Sequence, residues 1–258
     1  MTMSATNRGE ERYDFDDYPT PNWCVHRMLD KMKPYLHGDF WIDPCAGSGS
    51  LIKAVNSHYA VPKLNWHAND IQAVNKEPLL RLASWANISD ITHWLPDDEL
   101  PKYDVWITNP PYNLAREVIE VGMQHAKTVA MLLRLNFLGS KARHPWISTH
   151  MPKYIGVLPD RPAFRVSKKT GKLGTDATEY AWMVWQAWDQ PGTFDFRRKE
   201  SETFMLGLTD PRVLEEDRER IRAGCTPRRT RSEPPPLPQD SSPTAASSLS
   251  DPPHEELA

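Results

Sequence analysis

The sequence predicts an α/β fold built on a mostly parallel sheet, and three observations predict it. Short β-rich apolar runs alternate with stretches of helical periodicity from residue 40 to residue 188. Two of those runs end in unusual turns. Phe40-Trp41-Ile42 leads into Asp43-Pro44-Cys45-Ala46-Gly47-Ser48-Gly49, and Val105-Trp106-Ile107-Thr108 leads into Asn109-Pro110-Pro111-Tyr112. The length, 258 residues, suits one such domain with trimmings.

The elements follow in chain order. Residues 1–17 are polar and are expected to be mobile; they lack the apolar core of a signal peptide. Trp23, Val25, Met28, Leu29 and Met32 recur at helical spacing after Thr20-Pro21, which predicts a helix over 22–32. Strands are predicted at 40–43, 65–69, 84–87, 103–108, 128–134, 154–158 and 180–188, and helices at 50–58, 74–83, 114–126 and 141–148. Strands alternating with helices imply a parallel sheet covered on both faces. The run from Tyr180 to Trp188 reads as a strand buried on both faces, with its tryptophans in the core. Segment 159–179 breaks the rhythm. It is basic and glycine-bearing and carries Phe164, so it is either an exposed functional loop or a solvated hairpin. A charged helix is expected over 211–224. The Pro/Ser-rich stretch 225–258 cannot bury enough surface to order itself. The main domain is then 18–210, with 139–179 available for substrate recognition.

Composition narrows the function. A net charge of −3 argues against a uniformly basic nucleic-acid coat, although a local basic cleft remains compatible with it. Cys24, Cys45 and Cys225 are scattered, with neither disulfide-framework nor zinc-site spacing, and read as reduced thiols in a cytoplasmic protein. No apolar run approaches the roughly 18 residues of a membrane span.

The chemistry is expected at the strand ends. Gly47 and Gly49 permit a sharp turn and close approach of backbone to a ligand. The spacing is not that of a dinucleotide-binding loop, because position 52 is Ile, and no Gly-Lys-Ser/Thr is present. As a turn alone the segment is equally consistent with plain structure. Asp70 ends the second strand, where α/β folds hold ribose hydroxyls; the other reading is a helix cap. Asp90 either meets a base amine or caps a turn. Asn109-Pro110-Pro111-Tyr112 is the most specific signal. An aromatic amine is a poor nucleophile because its lone pair is delocalised. An amide oxygen and a proline-fixed carbonyl that both accept its N–H bonds draw the nitrogen toward tetrahedral geometry and free that lone pair. Tyr112 offers a ring to stack on the base.

From Tyr18 to Trp188 the chain resembles the S-adenosylmethionine-dependent DNA adenine-N6 methyltransferases of the Asn-Pro-Pro-Tyr type, in the compact form encoded by phages. Asp43-Pro-Cys-Ala-Gly-Ser-Gly resembles their cofactor motif and Asn109-Pro-Pro-Tyr112 their catalytic motif. The resemblance implies a Rossmann-like class I methyltransferase fold, a seven-stranded sheet with the last strand antiparallel. It implies S-adenosylmethionine as cofactor and DNA as substrate, with no metal, in a monomer. Thr20 and Pro21 would touch the methionine end, and Asp43, with Pro44, Ala46, Gly47 and Gly49, the amino-acid moiety. Asp70 would hold the ribose and Asp90 the adenine amine. Arg161-Pro162-Ala163-Phe164 looks like the later motif whose aromatic meets the flipped base. Arg161, Arg165, Lys168, Lys169 and Lys172, with Arg134, Lys141 and Arg143, are candidates for phosphate contact. The recognition region is smaller than is usual in this family. The same motif also occurs in methyltransferases of RNA adenine and of protein glutamine. An inactive nucleic-acid-binding module on the same fold is the alternative of another class.

Overall fold

The structure is a computed structural model that describes residues 19–58, 61, 63–94, 102–166, 173–174, 178–187 and 195–224. The expectations for 1–17, for 225–258 and for Lys168, Lys169 and Lys172 lie outside the described residues.

Among the described residues there are ten strands: β1 (Phe40–Asp43), β2 (Asn65–Asp70), β3 (Trp85–Ile88), β4 (Tyr103–Thr108), β5 (Ala126–Arg134), β6 (Tyr154–Val157), β7 (Arg165–Val166), β8 (Leu173–Gly174), β9 (Tyr180–Gln186) and β10 (Glu202–Met205). The helices are α1 (Asn22–Met32), α2 (Ser50–Asn56), α3 (Lys76–Leu80), α4 (Ala115–His125), α5 (His144–Ile147) and α6 (Pro211–Gly224). Eight strands form one sheet in the order β10-β6-β9-β5-β4-β1-β2-β3. Only β9 runs antiparallel, against β5 on one side and β6 on the other. The seven predicted strands are all present. The eighth, β10, was not foreseen. Its Glu-Thr-Phe-Met run has three exposed positions and no apolar period, so its signal lies in backbone pairing to the sheet edge. Within 159–179 the described parts include the small β7–β8 hairpin, but Pro162, Ala163 and Phe164 are buried rather than exposed.

Both faces of the sheet are covered, and side chains alternate between them with period two. Trp41, Trp66, Trp182 and Val184 pack with α1 and α2, while Ile42, Trp106, Met183 and Trp185 pack with α4. This double burial is why the strands read as continuous apolar runs. Trp182 and Trp185 are core, and each indole N–H finds a carbonyl, of Cys24 and of His150 respectively. Truncating either to Ala would cost about 3–5 kcal/mol. The charged helix α6 packs against α1, and the buried Asp217 carboxylate accepts the Trp23 N–H at 2.8 Å. That bond satisfies one of the donors left open at the start of α1. Among the described residues no helix is long and apolar enough to cross a membrane.

Candidate functional site

The sheet order reverses beside β1. The chain leaves β1 for β2 and β3, then returns to β4 on the other side. The turns after β1 and β4 therefore face one another beyond the carboxyl ends of the strands, the position where open α/β sheets hold ligands. A cleft of about 350 Å³ lies there, a size suited to a small-molecule site. Thr20, Asp43, Pro44, Ala46, Gly47, Asp70, Asp90, Asn109 and Pro111 all line it. The sequence brings them from five separate places.

The three aspartates share one local device. Each accepts the backbone N–H two residues on: Asp43 from Cys45 (3.3 Å), Asp70 from Gln72 (2.8 Å) and Asp90 from Thr92 (2.9 Å). Asp70 also accepts from Gly47 N–H and from Asn75 Nδ2, both at 2.8 Å. A carboxylate has about four acceptor sites, so three are filled and one is left for a ligand hydroxyl. Asp90 takes the Thr92 hydroxyl as well, which with the Thr92 N–H holds its carboxyl below the usual range. It both caps the turn and lines the cleft. Asp43 is 1% exposed. Burial pushes its carboxyl up to about 7, while the Thr108 hydroxyl and the Cys45 N–H pull it down and the neighbouring Asp70 adds to the rise. A buried acid so poised gains from a cationic partner.

Gly47 and Gly49 have φ of 52° and 81°, in the left-handed region. Gly49 differs from expectation in what approaches it. A Cβ there would stand 2.3 Å from Leu82 Cδ1, so the close contact is with the chain itself. Gly49 serves the turn into α2, and Gly47 lines the cleft.

On the other side, Asn109 and Pro111 face the cleft, while Pro110 is buried. Asn109 Nδ2 donates to Thr20 Oγ1 at 3.2 Å, and Asn109 Oδ1 accepts from the Tyr112 hydroxyl at 2.9 Å. The Thr20 N–H donates to Ser50 Oγ at the start of α2. The Tyr112 ring lies 5.8 Å from that of Tyr180, centre to centre, with the Arg134 guanidinium 4.9 Å from its own centre. Phe164 is 6% exposed and meets Tyr180 edge-on at 5.3 Å. Pro21 and Arg161 line a second cavity, beside α6, instead of the cleft. Arg161 is paired with Glu179. Of Arg165 only the backbone, in β7, is described.

Several residues that the sequence reading missed complete the site. Asn69 donates to the carbonyls of Pro44 and Ser89 and accepts from the Ser89 hydroxyl, tying three strand ends together. Ser50, Ile91, Asn113 and Leu114 also line the cleft. All but Ser50, which opens α2, lie at or within a few residues past a strand end, which is the one signal that could have found them.

Among solved structures, a type I restriction-modification methyltransferase subunit from Streptococcus thermophilus superposes with a TM-score of 0.52 at 12% identity, over 80% of this chain and 53% of that one. A candidate RNA methyltransferase from Pyrococcus horikoshii superposes with a TM-score of 0.51 at 13% identity, over 70% of this chain and 94% of that one. The fold is that of the Rossmann-like methyltransferases. No family model matches the sequence, and no curated protein matches it. At these identities the methyltransferase likeness is one of fold.

Proposed function

We propose that the protein transfers a methyl group from S-adenosylmethionine to the exocyclic N6 of adenine in DNA. One observation carries the reading. Asn109, opening Asn-Pro-Pro-Tyr at the end of β4, lines the same cleft as the Gly47 turn and Asp70. An amine acceptor and a nucleoside-sized recess thus share one space.

The residues present fit the cofactor. Asp70 keeps one acceptor site for a ribose hydroxyl, and Asp90 reaches the cleft beyond β3. Asp43 offers a buried carboxyl to an ammonium group. When bound, the cofactor supplies an electrophilic methyl on a sulfonium. The chain's own work is positioning. Asn109 Oδ1 has two lone pairs; Tyr112 takes one, and the other accepts an amine N–H. The adenine must leave the duplex to reach the cleft. Arg134, at the end of β5, and Lys141 and Arg143, in the segment after it, are the candidates for phosphate contact; Arg134 Nε is bound to the Tyr180 hydroxyl and Arg143 to the carbonyls of Asn136 and Phe137.

Labelled S-adenosylmethionine, with DNA, RNA and protein offered separately, tests the reading. Digestion of treated DNA followed by mass spectrometry should yield N6-methyladenine. Label in RNA or in a protein glutamine, with none in DNA, rejects the substrate and retains the methyl transfer. No label in any pool rejects the reading.

A further inference from the structure

Helix α1 has no cap of its own. The residue before it is Pro21, which brings no side-chain acceptor, and its first turn carries no acidic residue. The Cys24 N–H turns back to the Pro21 carbonyl at 3.2 Å, and the Trp23 N–H is left among the open donors of the first turn. That donor is taken by a side chain 194 residues away. The buried Asp217 carboxylate of α6 accepts it through Oδ2 at 2.8 Å. Arg220, one turn further along α6, donates to Oδ1 at 2.6 Å and so keeps Oδ2 turned to α1. A charge-assisted bond at a helix N-terminus is strong and directional. Packing does less at this point. The second cavity, about 350 Å³, opens here, with Pro21 and Trp23 lining it together with Leu214, Asp217 and Ile221 of α6.

The first turn of α1 leads directly to the cleft. Thr20 precedes a proline, which confines it to extended backbone, and its branched side chain has little rotamer freedom. Thr20 therefore moves with the start of α1. Its N–H donates to Ser50 Oγ at 3.0 Å, and its Oγ1 accepts from Asn109 Nδ2 at 3.2 Å. Asp217, Trp23, Thr20 and Asn109 thus form one path from α6 to the end of β4, made of two hydrogen bonds and a short run of backbone.

We propose that Asp217 positions Asn109: by capping α1 from α6 it fixes Thr20, and Thr20 holds the amide at the cleft. Asp217 and Thr20 are positioning residues, and α6 serves the reaction without touching it. The inference rests on the amine-methylating role given to Asn109 above.

Asp217→Ala removes the cap. The cavity beside it admits water and the half-exposed Arg220 can turn to solvent, so the variant is expected to fold. Single-turnover methyl transfer at saturating cofactor and DNA should fall about ten- to a hundredfold, the scale of misplacing a reacting group. Cofactor Kd and the KM for DNA should change much less. A cap with a structural role alone would lower the melting temperature and leave that rate unchanged in the folded protein. Thr20→Val should slow the step similarly, and the double variant should be no slower than the slower single variant. A second readout needs no turnover. The Asn109 side-chain amide resonances, assigned by their loss in Asn109→Ala, should shift or broaden in Asp217→Ala as they do in Thr20→Val. Hydrogen exchange in the wild type needs no variant: in low denaturant the amides of Thr20, Trp23 and Ile221 should open with one free energy. Wild-type rates and unchanged amide resonances in a folded Asp217→Ala protein overturn the proposal. Multiplicative losses in the double variant, or exchange at Ile221 with Thr20 still protected, overturn it as well. If the wild type methylates nothing, the proposed function fails, and the amide resonances and exchange still decide whether Asp217 holds Asn109.

Discussion

The two sides of the cleft are held by different kinds of contact. Beyond β1, β2 and β3, three aspartates each accept an N–H from two residues further along the chain. Beyond β4 and β5, Asn109 is held by Thr20, 89 residues away, and Tyr180 by Arg134, 46 residues away. The first side is acidic, and each of its aspartates is held within its own turn, with Asp70 also anchoring the Gly47 turn. The second is aromatic and basic, and is assembled only when distant strands and α1 come together. The first should tolerate damage elsewhere in the fold, and the second should not.

The largest expected effect lies on the non-local side. Asn109→Ala should leave cofactor binding near wild type and cut methyl transfer by at least about 10²–10³-fold, as when a preorganised polar group is removed from a transition state. Calorimetric titration beside single-turnover kinetics checks this. Equal losses of affinity and rate would mean that Asn109 belongs to the cofactor side, and the comparison would break.

Asp43 gives the next effect, and it depends on pH. An ordinary aspartate titrates near 3.8, and burial raises Asp43 to about 7. Between those values the folded protein holds a proton that the unfolded chain has released, so stability falls as pH rises from about 4 to about 7 and then levels. The full cost is on the order of 4 kcal/mol. Asp43→Asn should therefore raise the melting temperature of the ligand-free protein at pH 8 and change it little at pH 4. The same variant should weaken cofactor binding, because an ammonium beside the ionised carboxylate offsets the cost in the wild type. Titration near pH 7 in buffers of different ionisation enthalpy should show proton release on binding. Binding with no proton release would remove Asp43 from the ammonium site.

Asp70→Ala should cost less. It loses three hydrogen bonds to a charged group, with part of the loss recovered by water, for about 2–3 kcal/mol of stability. Cofactor affinity should fall too, since the Gly47 turn loses its anchor. An unchanged melting temperature with lost affinity would show that Asp70 acts on the ligand alone.

The same division explains what could be read from the sequence. The positions of seven strands, the glycine turn and the three aspartates at strand ends were legible because local periodicity and a turn's chemistry lie within a few residues. Tyr112 and Phe164 were legible as aromatics but not in their setting. Their contacts with Tyr180 and Arg134 depend on β9 inserting between β5 and β6. Gly49 was read as facing a ligand because its neighbour Leu82 lies 33 positions on, across α2, β2 and α3. Strand β10 carries no side-chain pattern, and Asp217 gives no local hint that it closes the start of α1.

The smallest effect concerns the Arg161–Glu179 pair, with Arg161 beside the second cavity. Arg161 and Glu179 form an ion pair with side chains 50% and 54% exposed. Exposed pairs contribute little to stability, because water screens them and both side chains lose rotamer freedom. Glu179→Gln should accordingly leave the melting temperature indistinguishable from wild type. It should also release Arg161, a candidate for phosphate contact, and remove the negative charge beside it. Affinity for DNA should rise a few-fold at low salt, and the gain should fade as added salt screens the charge. Filter binding across a salt series reads both. A gain that persists at high salt would mean a direct contact at residue 179, and weaker binding would mean that Glu179 holds Arg161 in its working position.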